Sequence, residues 1–152
     1  MSKEDAMPGK DLTKISRDYI EAFNAANWSR VKETLTGNSV YNEAGTQRRI
    51  QGSDAIVTAL QGWKRAFPDA KGKVTNAVST GNNVLLEITW EGTHTGPLEG
   101  PGGTIAATGK RQVTPAAMLI LFEEDKIKES RHYFDMMTLL QQIGAVPMGA
   151  VK

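Results

Sequence analysis

Residues 112–134 read QVTPAAMLILFEEDKIKESRHYF. Gln112–Phe122 is an extended, largely apolar run, Glu124-Asp125 turns the chain, and Lys126–Phe134 runs back. Strands joined by so short a turn pair antiparallel, because a parallel pair needs a crossover of a dozen or more residues. In the first of these strands Val113, Pro115, Ala117, Leu119 and Leu121 alternate with Thr114, Ala116, Met118, Ile120 and Phe122. Both faces are therefore largely apolar. One face can line an interior, and the other needs cover.

Working outward, the same period of two holds upstream. Val84–His94 reads as a long strand, Gly81-Asn82-Asn83 as a hairpin turn and Val74–Ser79 as its partner. Thr95–Gly109 holds five glycines and two prolines and reads as a loop. Nearer the N-terminus the period is helical. Asp11 is the N-cap of a helix with Leu12, Ile15, Tyr19, Phe23 and Ala26 on one face. A short helix is expected over Trp28–Leu35, ended by Gly37-Asn38, and a short strand over Val40–Ala44. Ser53 or Asp54 caps a third helix that carries Ile56, Leu60, Trp63 and Phe67, and Pro68-Asp69 stops it. Asp135–Ile143 forms a terminal helix closed by Gly144. Helices first and an antiparallel meander after them predict an α+β fold with the helices on one sheet face. Residues 1–10 read as a flexible lead-in, 11–146 as a single domain and 147–152 as a tail.

Composition narrows the function. The chain has 152 residues, no cysteine, and 18 basic against 17 acidic residues, for a net charge of +1. That balance gives no field to gather nucleic acid or an anionic membrane. Without cysteine there is no disulfide or thiolate metal site. The first ten residues lack an apolar signal core, and Ala116–Phe122 is too short to cross a bilayer. A cytoplasmic location is expected. The glycines of the 96–109 loop lack the strand–GxGxxG–helix setting of a phosphate cradle. No Gly-x-Ser-x-Gly elbow is present, and the two histidines have no metal-ligand spacing.

The stretches Trp90-Glu91-Gly92-Thr93-His94-Thr95-Gly96, Thr108-Gly109-Lys110, Lys126-Ile127-Lys128-Glu129, Arg131-His132-Tyr133-Phe134-Asp135 and Leu139-Leu140-Gln141-Gln142-Ile143-Gly144 resemble the SnoaL-like polyketide cyclases of the NTF2-like superfamily. The likeness spans residues 12–144. It implies an NTF2-like cone, in which three N-terminal helices pack on a strongly curved antiparallel sheet around a pocket. It implies cofactor-independent acid/base chemistry on a small organic carbonyl compound: intramolecular aldol cyclisation, or a related isomerisation or dehydration. It also implies a homodimer or higher homo-oligomer, formed through the outer face of the sheet.

By the same resemblance Asp135 is the catalytic acid/base. It would open on the cavity from the end of the last strand, with apolar surroundings raising its affinity for protons. Ketosteroid isomerase, of the same superfamily, tunes carboxylic acids in this way. A second role for Asp135 is the N-cap of the terminal helix. His94, where its strand enters the glycine-rich loop, is placed near the cavity mouth to polarise a carbonyl. His132 lies one residue out of phase with Asp135 and reads as a structural or interface histidine, unless a bulge turns it. Tyr19, Phe23, Trp28, Tyr41, Asn42, Trp63, Phe67 and Trp90 are pocket-lining candidates with core packing as the alternative. Of these, Asn42 is suited to steady an enolate. Arg131 pairs with Glu129 or forms a polar floor, and Tyr133 donates to a ligand oxygen or packs at the rim. The competing functions are a binder without turnover and a dimeric interaction domain.

Overall fold

Asp11 accepts hydrogen bonds from the backbone N–H groups of Thr13 and Lys14 and starts α1 (Leu12–Asn24). This is the predicted cap, and the stripe behind it buries Tyr19, Ile20 and Phe23. The computed structural model describes residues 11–100 and 102–146, so the expected lead-in and tail lie outside the described residues. Among these, α2 spans Trp28–Glu33 and α3 spans Ser53–Ala66. Ser53 is the first residue of α3 and not its cap; the cap position is Gly52, with φ +100° and no side-chain bond. A fourth helix, α4 (Met136–Gln142), closes the chain.

The strands are β1 (Leu35–Glu43), β2 (Arg48–Gln51), β3 (Lys71–Thr80), β4 (Asn83–Thr93), β5 (Leu98–Gly100), β6 (Gly103–Ile105), β7 (Arg111–Glu123) and β8 (Lys126–Phe134). Six of them form one sheet in the order β2-β1-β8-β7-β4-β3, and β5 and β6 form a separate hairpin. Gly37-Asn38, expected to end α2, lies inside β1. The 95–109 loop holds the β5–β6 hairpin, which its glycines hid from a reading by composition.

The meander β3–β4–β7–β8 is antiparallel, as expected; short turns join β3 to β4 and β7 to β8, and the segment with β5 and β6 joins β4 to β7. One pair departs from the expectation. β1 runs parallel to β8, with Asn42 beside Arg131 and Glu43 beside His132. A short-turn argument constrains only strands adjacent in sequence, and β1 and β8 are joined through all the rest of the sheet.

The core lies between the helices and the inner sheet face. Val84, Leu86 and Ile88 of β4 and Met118, Ile120 and Phe122 of β7 meet Tyr19, Ile20 and Phe23 of α1 and Ile56 and Leu60 of α3. Each such side chain contributes about 1.5–3 kcal/mol on leaving water. The period of two that was read in β4 and β7 selects these residues. In β8 it is broken. Leu121 faces Glu129 but Phe122 faces Ile127, so Lys128 is an extra residue on the β8 side. This bulge reverses the phase: Ile127, Ser130 and His132 all turn inward and are buried.

Candidate active site

Where β1, β4, β7 and β8 face α1, α3 and α4, the packing leaves a cavity of about 70 Å³. Phe23 of α1, Leu60 and Trp63 of α3, Phe67 just beyond it, Trp90 of β4 and Leu139 of α4 supply its apolar wall. The rings lock one another. Phe23 meets Trp90 edge-on at 5.3 Å, Trp63 stacks on Phe67 at 6.3 Å, and Phe134 meets Trp63 edge-on at 6.0 Å. Such pairs prefer these edge-on and offset geometries, which fixes the shape of the wall. Two glycines make room for it. A Cβ on Gly72 would stand 2.6 Å from the Trp90 ring, and one on Gly45 2.6 Å from the Phe134 ring.

Polar groups enter the cavity from the sheet. Gln112 and Thr114 come from β7, and Thr114 donates to Gln112 Oε1 at 2.5 Å. Tyr41 of β1 and His132 of β8 stand at the same wall. On β1, Tyr41 and Glu43 are two residues apart and share the inner face. The parallel register then sets Glu43 beside His132. A continuous buried chain results. The Trp90 indole N–H donates to His132 Nε2 at 3.0 Å. His132 Nδ1 and the Tyr41 hydroxyl are 2.8 Å apart, and Tyr41 donates to Glu43 Oε2 at 2.9 Å.

This geometry sets the protons. An indole nitrogen only donates, so Nε2 carries a lone pair and Nδ1 carries the ring proton of the neutral imidazole. Nδ1–H therefore donates to Tyr41, and Tyr41 donates to Glu43. The tautomer is assigned from the hydrogen-bond network in this way. Burial pushes the His132 pKa down to about 4 against a partial upward pull from Glu43. Burial raises the Tyr41 hydroxyl well above its ordinary range, and Glu43 adds to that.

Glu43 is fully buried. Burial alone would raise its carboxyl, but its donors outweigh burial and the net direction is down. Trp63 Nε1–H donates to Oε2 at 2.7 Å. Thr46 donates to Oε1 at 2.5 Å, and the Arg48 fork does so at 2.9 and 2.7 Å. The carboxylate thus stays ionised inside the fold, as a buried charge must when it is fully paired.

Of the residues singled out from sequence, Phe23, Tyr41, Trp63, Phe67 and Trp90 come together at the cavity. Others do not. Asp135 is exposed; its carboxylate accepts from the Thr138 backbone N–H at 3.1 Å and the Thr138 hydroxyl at 2.6 Å, and so caps α4. Thr138 holds its pKa below the usual carboxylate value, the opposite of the expected rise. The acid expected inside the cavity therefore stands outside it. Arg131 and Tyr133 lie on the outer sheet face, where Arg131 pairs with Glu129 at 3.1 Å and Tyr133 is 50% exposed. Asn42 shares that face and donates to Glu129 at 3.0 Å. The bulge at Lys128 is the cause for Arg131 and Tyr133, since it turns the odd-numbered residues that follow it outward.

Tyr19 is buried in the core away from the cavity wall, and Trp28 packs edge-on against Phe23 at 5.9 Å behind it. His94 is buried and rests against Phe67 at 5.3 Å, one layer behind the wall. Its Nδ1 accepts from the Thr108 backbone N–H at 3.2 Å, and burial lowers its pKa.

Glu43 escaped the sequence reading altogether. An acid on a short strand reads as a solvated residue, and only the tertiary approach of Arg48 and Trp63 makes it a core group. His132, which reads as a structural histidine unless a bulge turns it, is turned to the cavity wall by the bulge at Lys128.

No curated protein matches the sequence. Solved structures share the fold. A Jannaschia sp. CCS1 protein assigned to the SnoaL-like polyketide cyclases superposes with a TM-score of 0.81 at 18% identity, over 95% of this chain and 99% of that one. TsrD from Streptomyces laurentii gives 0.78 at 18%, over 93% and 100%. A Catenulispora acidiphila protein with a ketosteroid isomerase-like fold, solved with trimethylamine, gives 0.75 at 16%, over 91% and 98%. The profile of the SnoaL-like polyketide cyclases matches residues 13–143, nearly the whole of the described chain, and the protein belongs to that family.

Proposed function

We propose that the cavity binds a small carbonyl compound with an acidic α-carbon, and that His132 moves the proton in a ring closure or isomerisation needing no cofactor. The observation that carries this is the placement of His132, a ring on a largely apolar wall whose Nε2 accepts from Trp90 and so carries a lone pair. The α-proton passes to Nε2, the enolate attacks a second carbonyl, and the resulting alkoxide takes the proton back from Nε2. The Gln112 amide at the same wall is the donor for the enolate oxygen. Trp90 must release the Nε2 lone pair for this, so the Trp90–His132 hydrogen bond opens as the ligand binds.

Size limits the ligand. About 70 Å³ holds on the order of five water-sized groups, hence a single ring and not a fused multi-ring polyketide. A second groove of about 950 Å³ runs past β5–β6 and α3 and shares Trp63 with the cavity, so a longer molecule has a place for its remainder. The test is deuterium uptake from D2O into the α-carbons of a panel of simple cyclic ketones, followed by mass spectrometry. Uptake above background that is lost in His132→Gln supports the proposal. Equal uptake with both proteins sinks it.

A second reading, a binder without turnover, is favoured by one observation: Trp90 already occupies Nε2. In that case the ketones bind, none exchanges, and His132→Gln changes affinity alone.

The outer sheet face fits a second copy of this chain. Val78, Leu85, Val113 and Tyr133 are each about half exposed, and Val78, Leu85 and Leu119 lie side by side across three strands. Around them stand Glu129 with Arg131, and Glu91 with Lys73 and Arg111. Charges of both signs about an apolar centre let a patch face itself across a two-fold axis.

A further inference from the structure

A buried carboxylate with five donors is costly to build, and apolar residues of similar volume would often stabilise a core as well. Glu43 is also too far along the chain of bonds to meet a ligand, because Tyr41 and Trp63 stand between it and the cavity. Its effect reaches the cavity through the wall groups that it holds, Trp63 and Tyr41, and through Tyr41 to His132.

We propose that Glu43 and Tyr41 are positioning residues for His132, holding its ring as the Nδ1–H tautomer so that the lone pair lies on Nε2. The carboxylate takes the Tyr41 proton as a hydrogen bond, which turns the hydroxyl's own lone pairs toward Nδ1. Nδ1 is then bound to donate. At the other end the Trp90 N–H refuses a proton on Nε2. The two ends agree, and the ring has one state. When Nε2 takes a proton, the same carboxylate stabilises the imidazolium through the hydroxyl. A carboxylate serves an imidazole in this way in the Ser-His-Asp triad, although there the contact is direct. This rests on the catalytic assignment of His132 for its purpose but not for its measurement.

The measurement is the imidazole tautomer of His132 by 15N–1H correlation NMR at neutral pH, in the wild type and in Glu43→Gln. The wild type should show Nδ1 protonated and Nε2 bare. In the variant the amide oxygen stays with the Arg48 fork and Thr46, which are three of the five donors. The amide nitrogen then faces the Tyr41 hydroxyl and the Trp63 indole N–H, the two donors of Oε2. Tyr41 loses its acceptor, turns, and donates to Nδ1, so the proton moves to Nε2, the Trp90–His132 hydrogen bond breaks, and the two nitrogen shifts exchange character. Retention of Nδ1–H in a folded Glu43→Gln overturns the proposal.

Should that variant not fold, Tyr41→Phe keeps the Trp63 and Arg48 bonds to Glu43 and removes only the relay. The Nδ1–H signal should then move upfield and exchange with water faster; an unchanged signal overturns the proposal equally. Neither result depends on turnover. A failure of the ketone exchange with the tautomer shift intact would reject the enzymatic assignment and leave the lock standing.

Discussion

Tyr41 and His132 stand on neighbouring parallel strands with the hydroxyl 2.8 Å from Nδ1, at the joint between a buried anion and a ring on the cavity wall. A neutral ring held in this way has a consequence for stability that needs no substrate.

The His132 pKa lies near 4 in the folded chain and near 6.5 unfolded. Between those values the unfolded state binds more protons, so stability rises with pH across the window and is lost as pH falls from about 6.5 to 4. The shift amounts to about 3 kcal/mol. Glu43, with a lowered pKa, adds its own loss only below the ordinary carboxylate range. Thermal melts at pH 7 and pH 4.5 should differ by about 10 °C from His132. In His132→Gln the fall over this interval should largely vanish. An equally steep fall in the variant would show that the ring is not held neutral.

Asp135 gives a separation between capping and catalysis. Its carboxylate binds the first turn of α4 and faces solvent. Asp135→Asn retains a capping side chain and should melt close to the wild type, whereas Asp135→Ala loses the cap and should melt measurably lower. Both should keep any ketone exchange within about twofold of wild type, since the loss here is of stability and not a barrier. A folded Asp135→Asn that has lost its exchange rate would return the catalytic role to that residue.

The contrast between Asp135 and His132 shows what was legible in the sequence. Tyr19 and Phe23, or Leu60 and Trp63, recur at helical spacing, and their burial follows from a period any core imposes. The β3–β4 and β7–β8 hairpins follow from turns a few residues long. By contrast, Ile127 is apolar and anchors the phase of β8, so a strict period of two from it would put Arg131 and Tyr133 inside. One extra residue at Lys128 reverses that choice. Nothing local marks the bulge, because the partner strand that creates it is needed to see it. Glu43 was hidden for the same reason, since its burial is the work of Arg48, Trp63 and a parallel strand distant in sequence.

The cavity wall has a mechanical weak point at Gly72. A methyl group there would meet the Trp90 ring at 2.6 Å, so the ring must move toward the cavity. Gly72→Ala should cost about 1–3 kcal/mol as overpacking. It should also break the Trp90–His132 hydrogen bond, which a shift of the Trp90 indole proton in NMR reports. A variant as stable as wild type with that signal unmoved would mean that the ring has room that the packing denies it.

The outer face can be tested without touching the cavity. Leu85 and Val113 are exposed on the side of β4 and β7 that points away from the core, so a charge at either leaves the folded monomer intact. A self-paired patch brings the same residue near its own copy or a close neighbour, and a buried unpaired charge there costs several kcal/mol. Leu85→Glu should therefore convert a dimer to a monomer in sedimentation equilibrium at micromolar concentration, with far-UV circular dichroism unchanged. Val113→Lys, of opposite sign, should do the same, because the penalty comes from desolvating a charge and not from its sign. If both variants sediment as the wild type does, whatever its mass, this face does not join two copies.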